Sequence, residues 1–154
     1  MTFINRFMFS SCFALTNVTI PPRVAGIGEG AFRWCGSLEI TIIPEGVISI
    51  GKNAFHACKS LKNVIIPDSV TIIEDKAFSF CSSLDRVIIP DGVTSIGNWS
   101  YIYCSSLTHV FIPDSVMNIG MGAFNNSAAT RIHAHAGSYA EKYAKENDIP
   151  FVAV

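Results

Sequence analysis

Apolar and polar positions recur along this chain with a period of 23 residues. In the coil from Leu61 to Cys81 the apolar positions fall into three short groups. Val64 and Ile66 alternate with an outward Ile65, the period-two pattern of a half-buried strand. Pro67 closes that strand because it has no N–H to offer a ladder, and Asp68-Ser69 suit a corner. Val70 and Ile73 then mark a second, shorter extended piece, and Ala77-Phe78-x-x-Cys81 closes the circuit as a tight turn or single helical turn.

The same positions line up in columns. Cys12, Cys35, Cys58, Cys81 and Cys104 stand one period apart, as do Leu15 to Leu107 and Pro21 to Pro113. Phe9, Phe32, Phe55, Phe78, Tyr101 and Phe124 predict a stacked aromatic spine. Gly28, Gly51, Gly97 and Gly120 share a column with Asn5 and Glu74, which indicates close approach of neighbouring coils rather than a strictly left-handed backbone. Self-similarity of this kind predicts a solenoid whose coils are stable only when stacked. Five cysteines are an odd number, and side chains in one column point the same way. The ladder therefore reads as free, buried thiols rather than disulfides or metal ligands.

These residues resemble the BspA-like leucine-rich repeats. The pattern Leu-x-x-Val-x-Ile-Pro-x-x-Val-x-x-Ile-Gly-x-x-Ala-Phe-x-x-Cys is matched almost throughout Ile4 to Phe124. The departures are Thr41 at an inward Val position, Glu74 for Gly, Ser100-Tyr101 for Ala-Phe and Ser127 for a sixth Cys. The expected fold is a leucine-rich repeat solenoid: a β-rich, right-handed superhelix of 23-residue coils with a parallel concave sheet. About five and a half repeats would fill residues 1–127. A C-terminal cap, strand-helix-strand, would fill 128–154 of the same domain. Arg131 to Ala136 alternates as a strand, Ser138-Tyr139-Ala140-Glu141 is a capping box opening a helix over about 137–147, and Pro150 leads into a last strand.

Charge narrows the function. Lysine plus arginine number 11 against 12 acidic residues, for a net charge of −1, without a basic run to displace phosphate counterions, so nucleic acid is not an expected partner. No apolar run reaches membrane-spanning length. The N-terminus lacks a charged leader with a cleavage site, so the chain is expected either inside the cell or as a mature piece of an exported protein. No phosphate loop, nucleophile elbow or spaced ligand set appears, and no enzyme activity, cofactor or metal is expected. His133 and His135 share one side of a strand but lack a third ligand.

The candidate contact residues lie outside the core. Thr19, Ile42, Ile65, Ile88 and Phe111 form an outward column in which the last four draw an apolar stripe, open to reading as simple β-propensity or as a contact line for a protein. Thr16, Glu39, Lys62, Asp85 and Thr108 carry alternating charge that neighbours can satisfy. Asn17, Ile40, Asn63, Arg86 and His109 form no pattern. Trp34, Phe80, Tyr103 and Trp99 sit at the turn edge, as core rim or a carbohydrate surface. Asn17, Asn98 and Asn125 head acceptor triplets that matter only in a glycosylating compartment.

Phe3, Ile4, Phe7 and Phe9 crowd an uncapped first coil. Either they fold back as a makeshift cap or a second chain covers them in a homodimer. The resemblance implies a secreted or cell-surface module that attaches to host, matrix or cell-surface proteins. A cytoplasmic or structural scaffold, or a piece of a longer array, is the alternative.

Overall fold

A computed structural model describes residues 2–127 and 129–154; Met1 and Ala128, the expected first residue of the cap, lie outside the described residues. The chain forms a parallel-strand β-solenoid of about seven turns, about 23 residues each, with a C-terminal helix followed by one last strand. Each coil contributes one strand to each of two faces and a turn to a third. The shorter strands build one continuous parallel sheet in the order β1 (Thr2–Ile4), β3 (Val24–Ile27), β5 (Ser49–Ile50), β7 (Ile72–Ile73), β9 (Ser95–Ile96) and β11 (Asn118–Ile119).

The other face, expected as a single sheet, comes in two pieces. β2 (Asn17–Thr19), β4 (Ile40–Ile42) and β6 (Asn63–Ile65) form one. β8 (Arg86–Ile88), β10 (His109–Phe111), β12 (Arg131–Ala134) and β13 (Phe151–Ala153) form the other. Ile43 N–H donates to Ile65 and Ile89 N–H to Phe111 across neighbouring junctions, bonds without a described counterpart between β6 and β8. Beside that break Val64 is only half-buried, whereas Val87 and Val110 are buried.

The turn face holds the stack together through main-chain bonds. Phe55 N–H donates to Ala77 at 2.7 Å, Phe78 to Ser100 at 2.8 Å and Tyr101 to Ala123 at 2.8 Å. The N–H groups between them turn back three residues, as Ala54 to Gly51 and His56 to Asn53 do, so successive donors serve the next coil and their own in alternation. This geometry needs two left-handed residues per coil. They are Asn53 and Ala57, then Lys76 and Phe80, then Trp99 and Tyr103, with φ between 53° and 60°. Left-handed backbone costs ~1–2 kcal/mol in a residue with a Cβ, and inter-coil bonding of otherwise orphaned donors offsets it.

Gly30 and Gly122 take the same left-handed place as Asn53 in their coils, but the Gly28, Gly51, Gly97 and Gly120 column plays a different part. Gly51 is not left-handed; a Cβ there would stand 2.6 Å from the Ile27 carbonyl oxygen. The column marks close approach, as its occupants suggest. Where Glu74 replaces glycine, its carboxylate accepts Lys52 N–H at 3.0 Å.

Inside, the aromatic spine runs Phe9, Phe32, Phe55, Phe78, Tyr101, Phe124 with ring centroids 5.1 to 5.4 Å apart and planes within 10°. Such offset pairs add ~0.5–1.5 kcal/mol each beyond area burial. Tyr143 ends the spine edge-on at 6.2 Å from Phe124. It belongs to α1 (Tyr139–Glu146), whose buried Ala140, Tyr143 and Ala144 close the last coil. Ser138 caps that helix by accepting Glu141 N–H at 3.2 Å, while the Glu141 carboxylate takes Gly137 N–H, one residue earlier than in a regular capping box.

Departures from the repeat pattern leave three buried hydroxyls without a partner among the described residues, Thr41 Oγ1, Ser100 Oγ and Tyr101 OH. Burial pushes the Tyr101 phenol well above its ordinary range, so it stays neutral. An unsatisfied buried hydroxyl costs ~1–3 kcal/mol. Tyr101→Phe and Thr41→Val are therefore expected each to raise stability by about 1 kcal/mol, additively given their distance, as read by urea unfolding.

Candidate functional site

The cysteine column is chemically quiet. Each thiol donates to the carbonyl of the phenylalanine 26 residues before it: Cys35 to Phe9, Cys58 to Phe32, Cys81 to Phe55 and Cys104 to Phe78, at 3.1 to 3.2 Å. Ser127, in the sixth place, makes the same bond to Tyr101 at 3.0 Å. Burial, reinforced by the neighbouring Cys12, pushes the Cys35 thiol up to about 11, and burial takes Cys104 to about 12. Cys58 and Cys81 are raised further by the same cause. A neutral thiol is the donor this bond needs, and it is a poor nucleophile. Cys12 is exposed. One thiol is therefore expected to react with an aromatic disulfide reagent in the native protein and five in denaturant; two or more fast native thiols would contradict the buried ladder.

At the turn edge Trp34 meets His56 edge-on at 5.4 Å, His56 meets Phe80 at 5.5 Å, and Phe80 stacks on Tyr103 at 4.7 Å. These rings are occupied by one another, and the Lys76 ammonium stands over Trp99 at 5.3 Å. His56 bonds Ser79 at 2.7 Å, and burial first, then the charges of Arg33 and Lys76, lowers its pKa. Trp34, Phe80 and Tyr103 nevertheless keep 40%, 42% and 46% of their surface exposed.

The stripe lies on the face of the longer strands. Register places Thr19, Ile42 and Ile65 side by side on β2, β4 and β6, and Ile88, Phe111 and His133 side by side on β8, β10 and β12. Ile42, Ile65 and Ile88 are 58%, 56% and 58% exposed, and Ile40 beside them is 49% exposed. Phe111 is half-buried between the Arg86 guanidinium, 4.7 Å above its ring, and His133, stacked at 4.4 Å. Lys62 and Glu39 pair at 3.2 Å in the alternating column; so exposed a pair is worth ~0–1 kcal/mol.

The N-terminal residues divide. Ile4 is buried, held by the pairing of β1 with β3, and Phe9 stacks on Phe32. Phe3 and Phe7 are exposed, as are Met8 and Phe13 of the same crowded first coil, so Ile4 and Phe9 drop out of the surface a second chain could cover.

His133 and His135 do not meet at one centre. His133 Nε2 lies 2.8 Å from His109 Nδ1, and His135 Nδ1 lies 2.7 Å from an Asp114 carboxylate oxygen. No group of three potential metal ligands exists among the described residues. Burial, then the charges of His109, Arg131 and Arg86, holds His133 below the ordinary value of 6.5, while the hydrogen bond and charge of Asp114 lift His135 above it. Whatever the His135 pair adds to stability is thus fully present below the unfolded value and lost as pH rises through the raised one. In an NMR titration His135 is expected to lose its proton at higher pH than His133; the reverse order would refute both placements.

Stacked parallel coils with a closed interior and an exposed sheet face define a leucine-rich repeat solenoid. The chain belongs to the BspA type leucine rich repeat region family, which matches it in six copies over residues 2–131. A leucine-rich repeat protein from Bacteroides ovatus is 36% identical with a TM-score of 0.79 over 83% of this chain and 33% of its own. The leucine rich repeat protein of T. pallidum is 30% identical, with a TM-score of 0.77 over 84% of this chain and 61% of its own. A leucine rich cell surface protein from Faecalibacterium prausnitzii is 32% identical with a TM-score of 0.77, covering 84% and 34%. The chain thus spans about a third to three fifths of the length of these relatives. No curated protein matches it. No helix among the described residues is long and apolar enough to cross a membrane.

Proposed function

We propose that this chain is a non-catalytic protein-interaction module of adhesion type, secreted or held at a cell surface, whose contact line is the stripe Ile42, Ile65, Ile88 and Phe111. The carrying observation is that three isoleucines in one column, each more than half exposed, run across both pieces of the sheet with Ile40 beside them. β-propensity favours branched residues in strands, but threonine would satisfy it equally, as Thr19 does in the same column. Continuous apolar surface on one face is what a protein partner covers. The surface setting is supported by the description of one relative as a cell surface protein.

Ile65→Thr with Ile88→Thr is expected to leave stability within ~0.5 kcal/mol, since the side chains are exposed, and to weaken capture by immobilised host matrix proteins about tenfold. Unchanged capture alongside unchanged stability would dismiss the stripe. The exposed Phe3 and Phe7, with Met8 and Phe13, support a second reading in which two copies cover each other's first coils; a monomer by light scattering across a wide concentration range would remove it.

A further inference from the structure

Beyond Ile88 the sheet face changes character. Register brings Arg86, His109 and Arg131 into one row and Ile88, Phe111 and His133 into the next, on three adjacent strands. All but Phe111 and His133 are exposed. Among the described residues neither guanidinium has a carboxylate within ion-pair distance, whereas Arg6, Lys62, Lys142 and Lys145 do. The Arg86 guanidinium lies over the Phe111 ring at 4.7 Å. Stacking there fixes the plane of the group while leaving its edge N–H donors free for a planar acceptor.

We propose that the outer face of β8, β10 and β12 docks an acidic segment of a protein partner, with Arg86 and Arg131 taking its carboxylates and Ile65 and Ile88 taking an apolar side chain beside them. This rests on the reading of the sheet face as a protein-contact surface, and it specifies the partner's chemistry by charge complementarity. Two unpaired guanidiniums on a chain of net charge −1 select an anion and repel a metal ion. A planar fork binds carboxylate or phosphate bidentately, and an acidic peptide segment is the source that brings its anion together with an apolar side chain for Ile65 and Ile88. An extended segment places alternate side chains ~6.7 Å apart on one face, so neighbouring carboxylates can serve guanidiniums two strands apart, at ~9.5 Å, with side-chain reach to spare.

The histidines make the site sensitive to pH. His109 and His133 share one hydrogen bond, which requires that one ring be an acceptor, hence neutral. When both are protonated neither can accept, and both N–H groups become available to a bound carboxylate. Burial, His109, Arg131 and Arg86 oppose protonation of His133. Asp148 lines a hollow with His109 and Arg131, and Asp91 and Asp114 line another with His133 and His135. β6 brings only Asn63 and Ile65, and β13 brings Phe151 and Val152, without charge. A bound carboxylate tips this balance, so affinity rises as pH falls through the imidazole range while glutamate remains ionised.

The test uses the full chain and a fluorescein-labelled peptide of repeating Glu-Glu-Leu, with the same peptide carrying Gln for every Glu, at about pH 5.5 and about pH 7.5. Fluorescence polarisation should show binding of the Glu peptide alone, weakened by salt and about fivefold tighter at the lower pH. Arg86→Gln and Arg131→Gln should each weaken it about two- to fivefold, with melting by circular dichroism confirming the fold. His109→Gln with His133→Gln should remove the pH dependence and leave binding at the higher pH. Equal affinity for the Glu and Gln peptides, or indifference to both arginine substitutions, would overturn the proposal. If in that case Ile65→Thr still weakens binding, the face remains an apolar protein surface and only the acidic partner is wrong. If no substitution changes binding of either peptide or of matrix proteins, both readings fall. Preference for a sulfated glycan over the Glu peptide would also overturn it.

Discussion

Everything in this molecule depends on the hydrogen bonding of one coil's backbone to the next across a spacing of ~4.8 Å. On the two strand faces the ladders do this in the ordinary way. The turn face has no regular strand, yet its donors must be satisfied just as fully. It solves the problem by alternating direction, one N–H to the next coil and the following one back into its own. That alternation forces the left-handed residues, tolerates their strain, and brings the phenylalanine rings into register at 5.1 to 5.4 Å. The aromatic spine and the strained backbone are consequences of one requirement.

The cysteine column follows from the same requirement. Each phenylalanine carbonyl from Phe9 to Phe78 accepts the N–H of the cysteine three residues on, and the thiol 26 residues later supplies a second donor to the same oxygen. A thiol is small and apolar enough for a core yet carries a weak donor. Ser127 shows that the donor matters, because the hydroxyl replacing the sixth thiol bonds the same carbonyl in the same place. Deprotonation would bury a charge beside other thiols of the ladder, and burial first, then those neighbours, pushes these thiols upward, which keeps the donor protonated.

Much of this was legible in the sequence, and the limits have physical causes. Period and column identity gave the stack, the spine, the quiet thiols and the capping helix, because each is repeated or follows a local rule. The glycine column was readable as close approach because Glu74 stands in it, where a left-handed backbone would be hard to reconcile. The left-handed positions were signalled only in part: Gly30, Asn53 and Gly122 suit one column, but Lys76 and Trp99 share it and Phe80 and Tyr103 occupy the other, residues that carry no turn signal on their own. Their conformation is imposed by inter-coil bonding, a tertiary effect that local propensity does not encode. The break between β6 and β8 left no trace either, since both strands match the repeat pattern.

The same distinction governs the candidate site. The isoleucine stripe was readable because it obeys the 23-residue period. The arginine and histidine cluster was not, because Arg131 and His133 fall out of step with the period. Arg131 and His133 pair with His109 and Phe111 at a separation one residue short of the period, so no column drawn on the sequence joins them. Only the continuation of the ladder into the cap strand does. The cap thereby does more than close the core. By extending the sheet while abandoning the repeat, it can place charged side chains next to an apolar row that the repeats themselves keep uniform. A solenoid gains extent from its repetition, but chemical distinction along its face has to come from where the repetition stops.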